Sequence, residues 1–159
     1  MLSSRHALAI VLASSVLAAS SRPPAAVAGS PLGTLAGKWR GSANVGVDWT
    51  AQRTLAIELT IDSAQHVRGR IGDAELTLGV IRENAGLVKR KIGRQPQLIV
   101  EGWLKGPVIA SEEVRRGGVT IPLDVRDGQL VGAVQTTGSN AGDTEQKILT
   151  AGPLVLRRE

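Results

Sequence analysis

The sequence predicts an all-β protein, an antiparallel up-and-down β-barrel of eight or nine strands, with a β-sandwich as the alternative. Apolar and polar residues alternate with a period of two in successive short runs, which places neighbouring side chains on opposite faces of a sheet. Turn-forming residues separate the runs, and no long stretch shows a helical period with caps. Consecutive hairpins of this kind form one continuous sheet, and closing that sheet into a barrel removes its exposed edges.

The N-terminal residues predict an export signal. Arg5 precedes an apolar run over residues 7–19, and Ala26-Val27-Ala28 places small residues where a signal peptidase cuts. The apolar run is shorter than the roughly 20 residues that span a bilayer. We therefore expect an exported protein, periplasmic or extracellular. Its parts are a signal peptide over 1–28, a linker over 29–35 and the barrel domain over 36–159.

Each predicted strand has its own alternation of apolar and polar residues. The apolar members of a run are expected to face the barrel interior, while the residues between them face outward. In chain order, the residues expected to share a face are Leu55, Ile57, Leu59 and Ile61; Val67, Gly69 and Ile71; Leu76, Leu78 and Val80; Leu98, Val100 and Leu104; Val119, Ile121, Leu123 and Val125; and Leu154 and Leu156.

Short connections between the runs predict hairpins. Asp127-Gly128 is the strongest of these signals, because an Asp-Gly pair between alternating runs favours a two-residue turn. Residues 62–65 and 83–86 are also expected to form turns, and residues 105–118 and 138–146 to form longer loops.

The composition restricts how the domain can fold and what it can bind. The chain has no cysteine, phenylalanine or tyrosine, and its tryptophans are Trp39, Trp49 and Trp103. Without disulfides, a core of Val, Ile, Leu and Ala must stabilise the domain, and thiolate chemistry is excluded. The scarcity of aromatic rings disfavours single-stranded nucleic acid and sugars as ligands held by stacking, since such ligands commonly stack on several rings. A net charge of +5 favours weak attraction to anionic polymers.

The segment Gly37-Lys38-Trp39-Arg40-Gly41 resembles the start of calycin-type barrels, because lipocalins and avidins carry Gly-x-Trp at the head of their first strand. In those families the Trp plugs one barrel end and an Arg near the chain end packs across it. The resemblance implies that Gly37 and Trp39 form the Gly-x-Trp element of this chain. It also implies that either Arg157 or Arg158 packs across Trp39. The chain lacks the Thr-Asp-Tyr element of lipocalins and the aromatic walls of avidins, so the resemblance implies a shape and no ligand.

Two further motifs are similar to those of secreted bacterial barrel domains. They are an Asp-Gly-x-Leu-x-Gly hairpin at residues 127–132 and a Leu-x-Leu-x-Arg ending at residues 154–158.

The sequence offers little catalytic equipment. His66 is the one histidine outside the signal, and we expect an exposed residue at a strand end rather than a base or a metal ligand. Glu112 and Glu113 are adjacent, so on an extended segment their carboxylates point in opposite directions and form no acid–base pair. We predict no catalytic residue, no metal site and no cofactor.

Two sets of residues are candidates for ligand binding. Trp103 and Glu101 share one face of a strand with Ile99, opposite to Leu98, Val100 and Leu104. There they form either a ligand wall or a cover on the barrel exterior. The densest basic cluster is either a site for an anionic polymer or a charged strand end that discourages edge association. That cluster consists of Lys89, Arg90, Lys91 and Arg94. Trp49 is expected to cover a barrel end.

These observations favour an exported, non-catalytic barrel that binds a partner at one open end or on its outer surface. An eight-stranded barrel is either filled by side chains or just wide enough for one ligand, so a carrier of a small apolar molecule is an alternative. A hydrolase that uses His66 or the Glu112–Glu113 loop is a weaker alternative.

Overall fold

The protein is a closed eight-stranded antiparallel β-barrel, in which each strand pairs with the next along the chain and β1 pairs with β8. A computed structural model describes residues 31–48, 50–84, 96–110, 116–138 and 147–159. The predicted up-and-down barrel is confirmed, with eight strands, and the sandwich alternative is wrong. The strands are β1 (Gly37–Val45), β2 (Thr54–Ile61), β3 (His66–Ile71), β4 (Ala74–Glu83), β5 (Leu98–Lys105), β6 (Arg116–Arg126), β7 (Gln129–Gly138) and β8 (Lys147–Arg158), preceded by a 3₁₀ helix over Pro31–Thr34.

The alternation seen in the sequence places the aliphatic residues inside the barrel. In β2, all four predicted inward residues are buried, and the residues between them are exposed. Inward side chains from all eight strands form one continuous apolar cluster. The core is therefore built from the aliphatic residues that the composition requires, and it occupies the barrel interior.

The β6–β7 hairpin has the geometry that its sequence predicts. Asp127 and Gly128 have φ values of 50° and 73°, and a two-residue type I′ turn needs positive φ at both positions. The strands pair directly up to this turn, with Arg126 opposite Gln129.

Trp39 closes one end of the barrel. Its ring is 4 % exposed, and its Nε1 donates a hydrogen bond to the Leu35 carbonyl at 2.8 Å. The Arg158 guanidinium lies 5.4 Å from the centroid of this ring and donates to the Thr34 carbonyl at 2.8 Å and to the Ala36 carbonyl. The cation thus ties the segment before β1 to the end of β8 across the indole.

Arg157, the other arginine considered for this role, does not contact Trp39. It lies opposite Arg40 in the β1–β8 register and is exposed on the outer surface. At Gly37, an added Cβ would lie 3.0 Å from Arg158 Nε, so glycine at that position leaves room for the arginine.

Residues after β5 cover the opposite end of the barrel. Val108 and Ile109 are buried and belong to the central cluster. The Asp73 amide, in the β3–β4 turn, donates to the Val108 carbonyl at 2.9 Å, and the Asp73 carboxylate accepts from the Ala110 amide at 2.9 Å. The turn therefore anchors a short apolar plug over the interior.

Strand β4 departs from the predicted alternation. Leu76 lies opposite Leu104, but Val80 lies opposite Glu101, so β4 holds one residue more than β5 over this interval. A β-bulge of this kind reverses the faces of the residues that follow it. The prediction that Leu76, Leu78 and Val80 share a face is therefore wrong, because Leu76 is buried inside while Leu78 and Val80 lie outside.

A second bulge lies in β8. Leu154 pairs with Ala43 and Ala151 with Val45, so β8 carries an extra residue near Pro153. Leu154 and Leu156 face inward beyond the bulge, as predicted, whereas the inward residues before it are Leu149 and Ala151. Ile148 consequently faces outward.

Candidate functional site

The large apolar side chains that are exposed in the described part of the chain lie together. They are Leu78, Val80, Trp103 and Ile148, with exposed fractions of 70, 48, 61 and 47 %. All four line one open groove of about 530 Å³ on the outer face of β4 to β8. We call this feature the outer groove.

Strand register explains the shape of the outer groove. Trp103 lies opposite Gly118, which lies opposite Thr137, which in turn lies opposite Ile148. Adjacent strands are about 4.8 Å apart, so the two apolar residues stand roughly 14 Å apart with small side chains between them. Because Gly118 has no side chain, the floor of the groove is low beside the indole.

The floor of the outer groove is polar. A neighbouring cross-strand row runs from Val80 through Glu101 and Thr120 to Gln135. Thr120 and Gln135 of this row, with Thr137, form the polar floor between the apolar side chains, and Glu101 lies at the edge of the groove. The groove thus combines apolar walls with amide and hydroxyl groups that can donate and accept hydrogen bonds.

Bulges at both borders create this surface. The β4 bulge turns Leu78 and Val80 outward, and the β8 bulge turns Ile148 outward. Close backbone approach accompanies the β4 bulge, since a Cβ on Gly102 would lie 2.7 Å from the Leu78 carbonyl oxygen. Bulges commonly re-aim side chains beside functional sites.

A third bulge supports Trp103 itself. Strand β6 holds an extra residue, Gly117, relative to β7. A Cβ on Gly117 would lie 3.4 Å from Trp103 Cζ3, so the ring rests close to this glycine. The indole is therefore held by backbone on one side and open to solvent on the other.

An ion pair lies at the rim of the outer groove. Arg82 Nη2 donates to Glu101 Oε2 at 2.6 Å, and both side chains are nearly half exposed. Trp103 and Glu101, the pair that the sequence identifies, therefore line one surface. That surface is the barrel exterior, so neither residue belongs to the apolar cluster of the interior.

His66 and Asp62 form a turn contact between β2 and β3. His66 Nδ1 lies 3.1 Å from Asp62 Oδ2, while Asp62 Oδ1 accepts the amide hydrogens of His66 and Ala64 at 2.9 Å each. The backbone hydrogen bond from His66 is the main cause that lowers the pKa of Asp62 from its ordinary value of 3.8. In the described ranges, no three potential metal-binding side chains lie close enough to share an ion.

This contact predicts a pH dependence. Because the pKa of Asp62 is lower in the folded state, its stabilising effect is complete above pH 3.8 and is lost as the pH falls through the lowered value. We expect D62N to have a lower Tm than wild type at pH 6, with the difference shrinking as the pH falls below 3.8. Thermal unfolding by circular dichroism at a series of decreasing pH values measures this difference in Tm. A difference that is constant over the whole range would contradict the assignment.

Several residues singled out in the sequence lie outside the described residues. They are the basic cluster Lys89, Arg90, Lys91 and Arg94, the pair Glu112 and Glu113, Trp49, and the predicted signal over 1–28.

Sequence reasoning missed three of the four apolar groove residues, namely Leu78, Val80 and Ile148. Two local signals were present. Val80 and Ile81 are consecutive apolar residues, which breaks strict alternation in β4. Pro153 lies within β8, and a proline inside a sheet is commonly found at a bulge.

Comparisons of the chain with protein-family models, with curated proteins and with solved structures find no match. Within the described ranges, no helix has the length and apolar character needed to cross a bilayer.

Proposed function

We propose that the protein is an exported, non-catalytic binding protein that holds an extended segment of another protein in the outer groove. One observation carries this proposal. Bulges in two strands bring the exposed large apolar residues of the described chain onto a single groove, instead of leaving them scattered. Isolated exposed apolar residues need no explanation, whereas a contiguous patch commonly marks an interaction surface.

The chemistry of the outer groove supports a protein partner. Protein interfaces place aromatic and aliphatic anchors at the centre and charged residues at the rim. Here Trp103 and Ile148 stand over the floor, and the Arg82–Glu101 pair lies at the rim. The polar floor offers hydrogen bonds to the peptide groups of an extended chain. The barrel is closed, so a partner cannot add to a sheet edge and must be recognised by side chains.

The covered ends of the barrel support surface binding over the carrier alternative. Inward aliphatic residues from every strand form one cluster, and both barrel ends are covered by buried residues, Trp39 at one and Val108 at the other. The hydrolase alternative gains no support from His66, whose ring is engaged by the Asp62 carboxylate in an exposed turn.

We also infer a calycin-type barrel. The Gly-x-Trp element at Gly37 and Trp39, with Arg158 packed on the indole, is the arrangement that the resemblance implies. Export rests on the sequence pattern of residues 1–28.

A displayed peptide library selected on the purified protein tests the binding proposal. We expect enriched peptides to bind wild type and to lose affinity by about tenfold or more in W103S/I148S, because an aromatic anchor contributes strongly to such interfaces. The matched control is A56S/T60A, two substitutions on the outer face of β2. Hydrogen exchange with the bound peptide should show protection on β4 to β8.

Equal affinity of the selected peptides for wild type and W103S/I148S would contradict the proposal. Hydrogen-exchange protection on another face of the barrel would also contradict it. A wild-type protein that is dimeric in solution, and becomes monomeric in W103S/I148S, would contradict it as well. The last result would assign the groove to a second copy of the chain.

A further inference from the structure

A second outer surface, on β8, β1, β2 and β3, carries an excess of positive charge. Its cationic side chains are all exposed, and the carboxylates among them are Glu58 and Glu159. Glu75 of β4 borders this surface, opposite Arg70. We call this surface the basic face. Its cations are Lys38, Arg40, Arg68, Arg70 and Arg157.

Strand register brings these cations into two adjacent rows. One row runs from Arg157 through Arg40 and Glu58 to Arg70, across four strands. The other joins Lys38 to Arg68 through Thr60. From the strand spacing, the longer row spans roughly 14 Å, and the rows are roughly 7 Å apart.

The fold neutralises only part of this charge. Arg40 pairs with both Glu58 and Glu159, at 3.1 Å each. Within the described chain, Lys38, Arg68 and Arg157 make no ion pair. The two carboxylates of the basic face are thus both engaged by one arginine.

Two cations of the basic face occupy directly opposite positions, Arg40 on β1 and Arg157 on β8. Arg40 is paired with Glu58 and Glu159, whereas Arg157 makes no ion pair within the described chain. Like charges at directly opposite positions repel, and an anionic ligand beside Arg157 would offset that repulsion.

We propose that the basic face binds an acidic polysaccharide. Four of its five cations are arginines, whose planar guanidinium groups pair with carboxylate or sulfate oxygens in a bidentate manner. Two rows on a convex barrel wall suit a flexible linear polyanion, which can follow the curvature better than a flat bilayer can. This site is separate from the outer groove, and the choice of a polysaccharide rests on the proposed export.

Titration calorimetry of the full-length protein at low salt tests this proposal, with heparin and polygalacturonate as the probes. We expect R68Q/R157Q to weaken binding about tenfold and to reduce the slope of log affinity against log salt by about two, one for each lost cation. The matched control R82Q/R126Q removes the same charge from exposed positions on β4 and β6, away from the basic face, and should change affinity less than twofold. The groove variant W103S/I148S should bind both polymers as wild type does.

Equal weakening by R68Q/R157Q and R82Q/R126Q would overturn the proposal, because binding would then follow net charge alone. Failure to bind either polymer at low salt would also overturn it. Tighter binding to phosphatidylserine-containing vesicles or to single-stranded DNA than to the polysaccharides would assign the basic face to another ligand class.

Discussion

Replacing Trp39 by alanine is expected to lower the free energy of unfolding by about 3–5 kcal/mol, the range for removing a large buried aromatic side chain. The indole is 4 % exposed at the closed end of the barrel, so truncation leaves a cavity. It also leaves the Leu35 carbonyl without the Nε1–H donor and Arg158 without the ring beneath it. Several interactions that join β1, β8 and the N-terminal 3₁₀ helix are lost together.

Urea unfolding followed by circular dichroism measures this effect. W103A is the matched control, since the same change at a side chain that is 61 % exposed should cost less than about 1 kcal/mol. Similar losses in the two variants would show that Trp39 does not close the barrel as described.

Replacing Gly41 by alanine is expected to be strongly destabilising, costing about 1–3 kcal/mol or more. A Cβ built on Gly41 would lie 1.8 Å from the Val155 carbonyl oxygen, which is backbone and cannot rotate away. The β1–β8 pairing that closes the barrel would have to shift. This pairing holds Trp39 opposite Arg158, so the closed end should loosen as well.

The same unfolding measurement checks G41A against G33A. Nothing lies within 4 Å of a Cβ on Gly33, so G33A should be nearly neutral. Near-wild-type stability of G41A would mean that β1 and β8 are farther apart at this point than the structure places them.

Much of the fold could be predicted because its signals are local. Alternation over Leu55 to Ile61 specifies an inward face within one strand, and Asp127-Gly128 specifies a turn from two residues. The shared face of Trp103 and Glu101 follows from the same period of two. Each of these features depends on residues that are neighbours in the chain.

Other features depend on contacts between distant residues. The choice of Arg158 over Arg157 follows from the register of β8 against β1. The plug formed by Val108 and Ile109 depends on Asp73, more than thirty residues earlier, which anchors it. The sequence of a loop has no periodic pattern that indicates which distant turn it packs against.

The amino-acid sequence by itself determined that the chain forms an antiparallel all-β domain with an aliphatic, sulfur-free core, because alternation and turn chemistry act within a few residues. Only the tertiary structure decided that the sheet closes into a barrel rather than a sandwich, and which apolar side chains remain outside. Leu78 and Ile148 are separated by 70 positions in the chain, and two bulges and five paired strands bring them to one groove. A single extra residue reverses the faces of a strand, and whether it is accommodated depends on the backbones of the neighbouring strands.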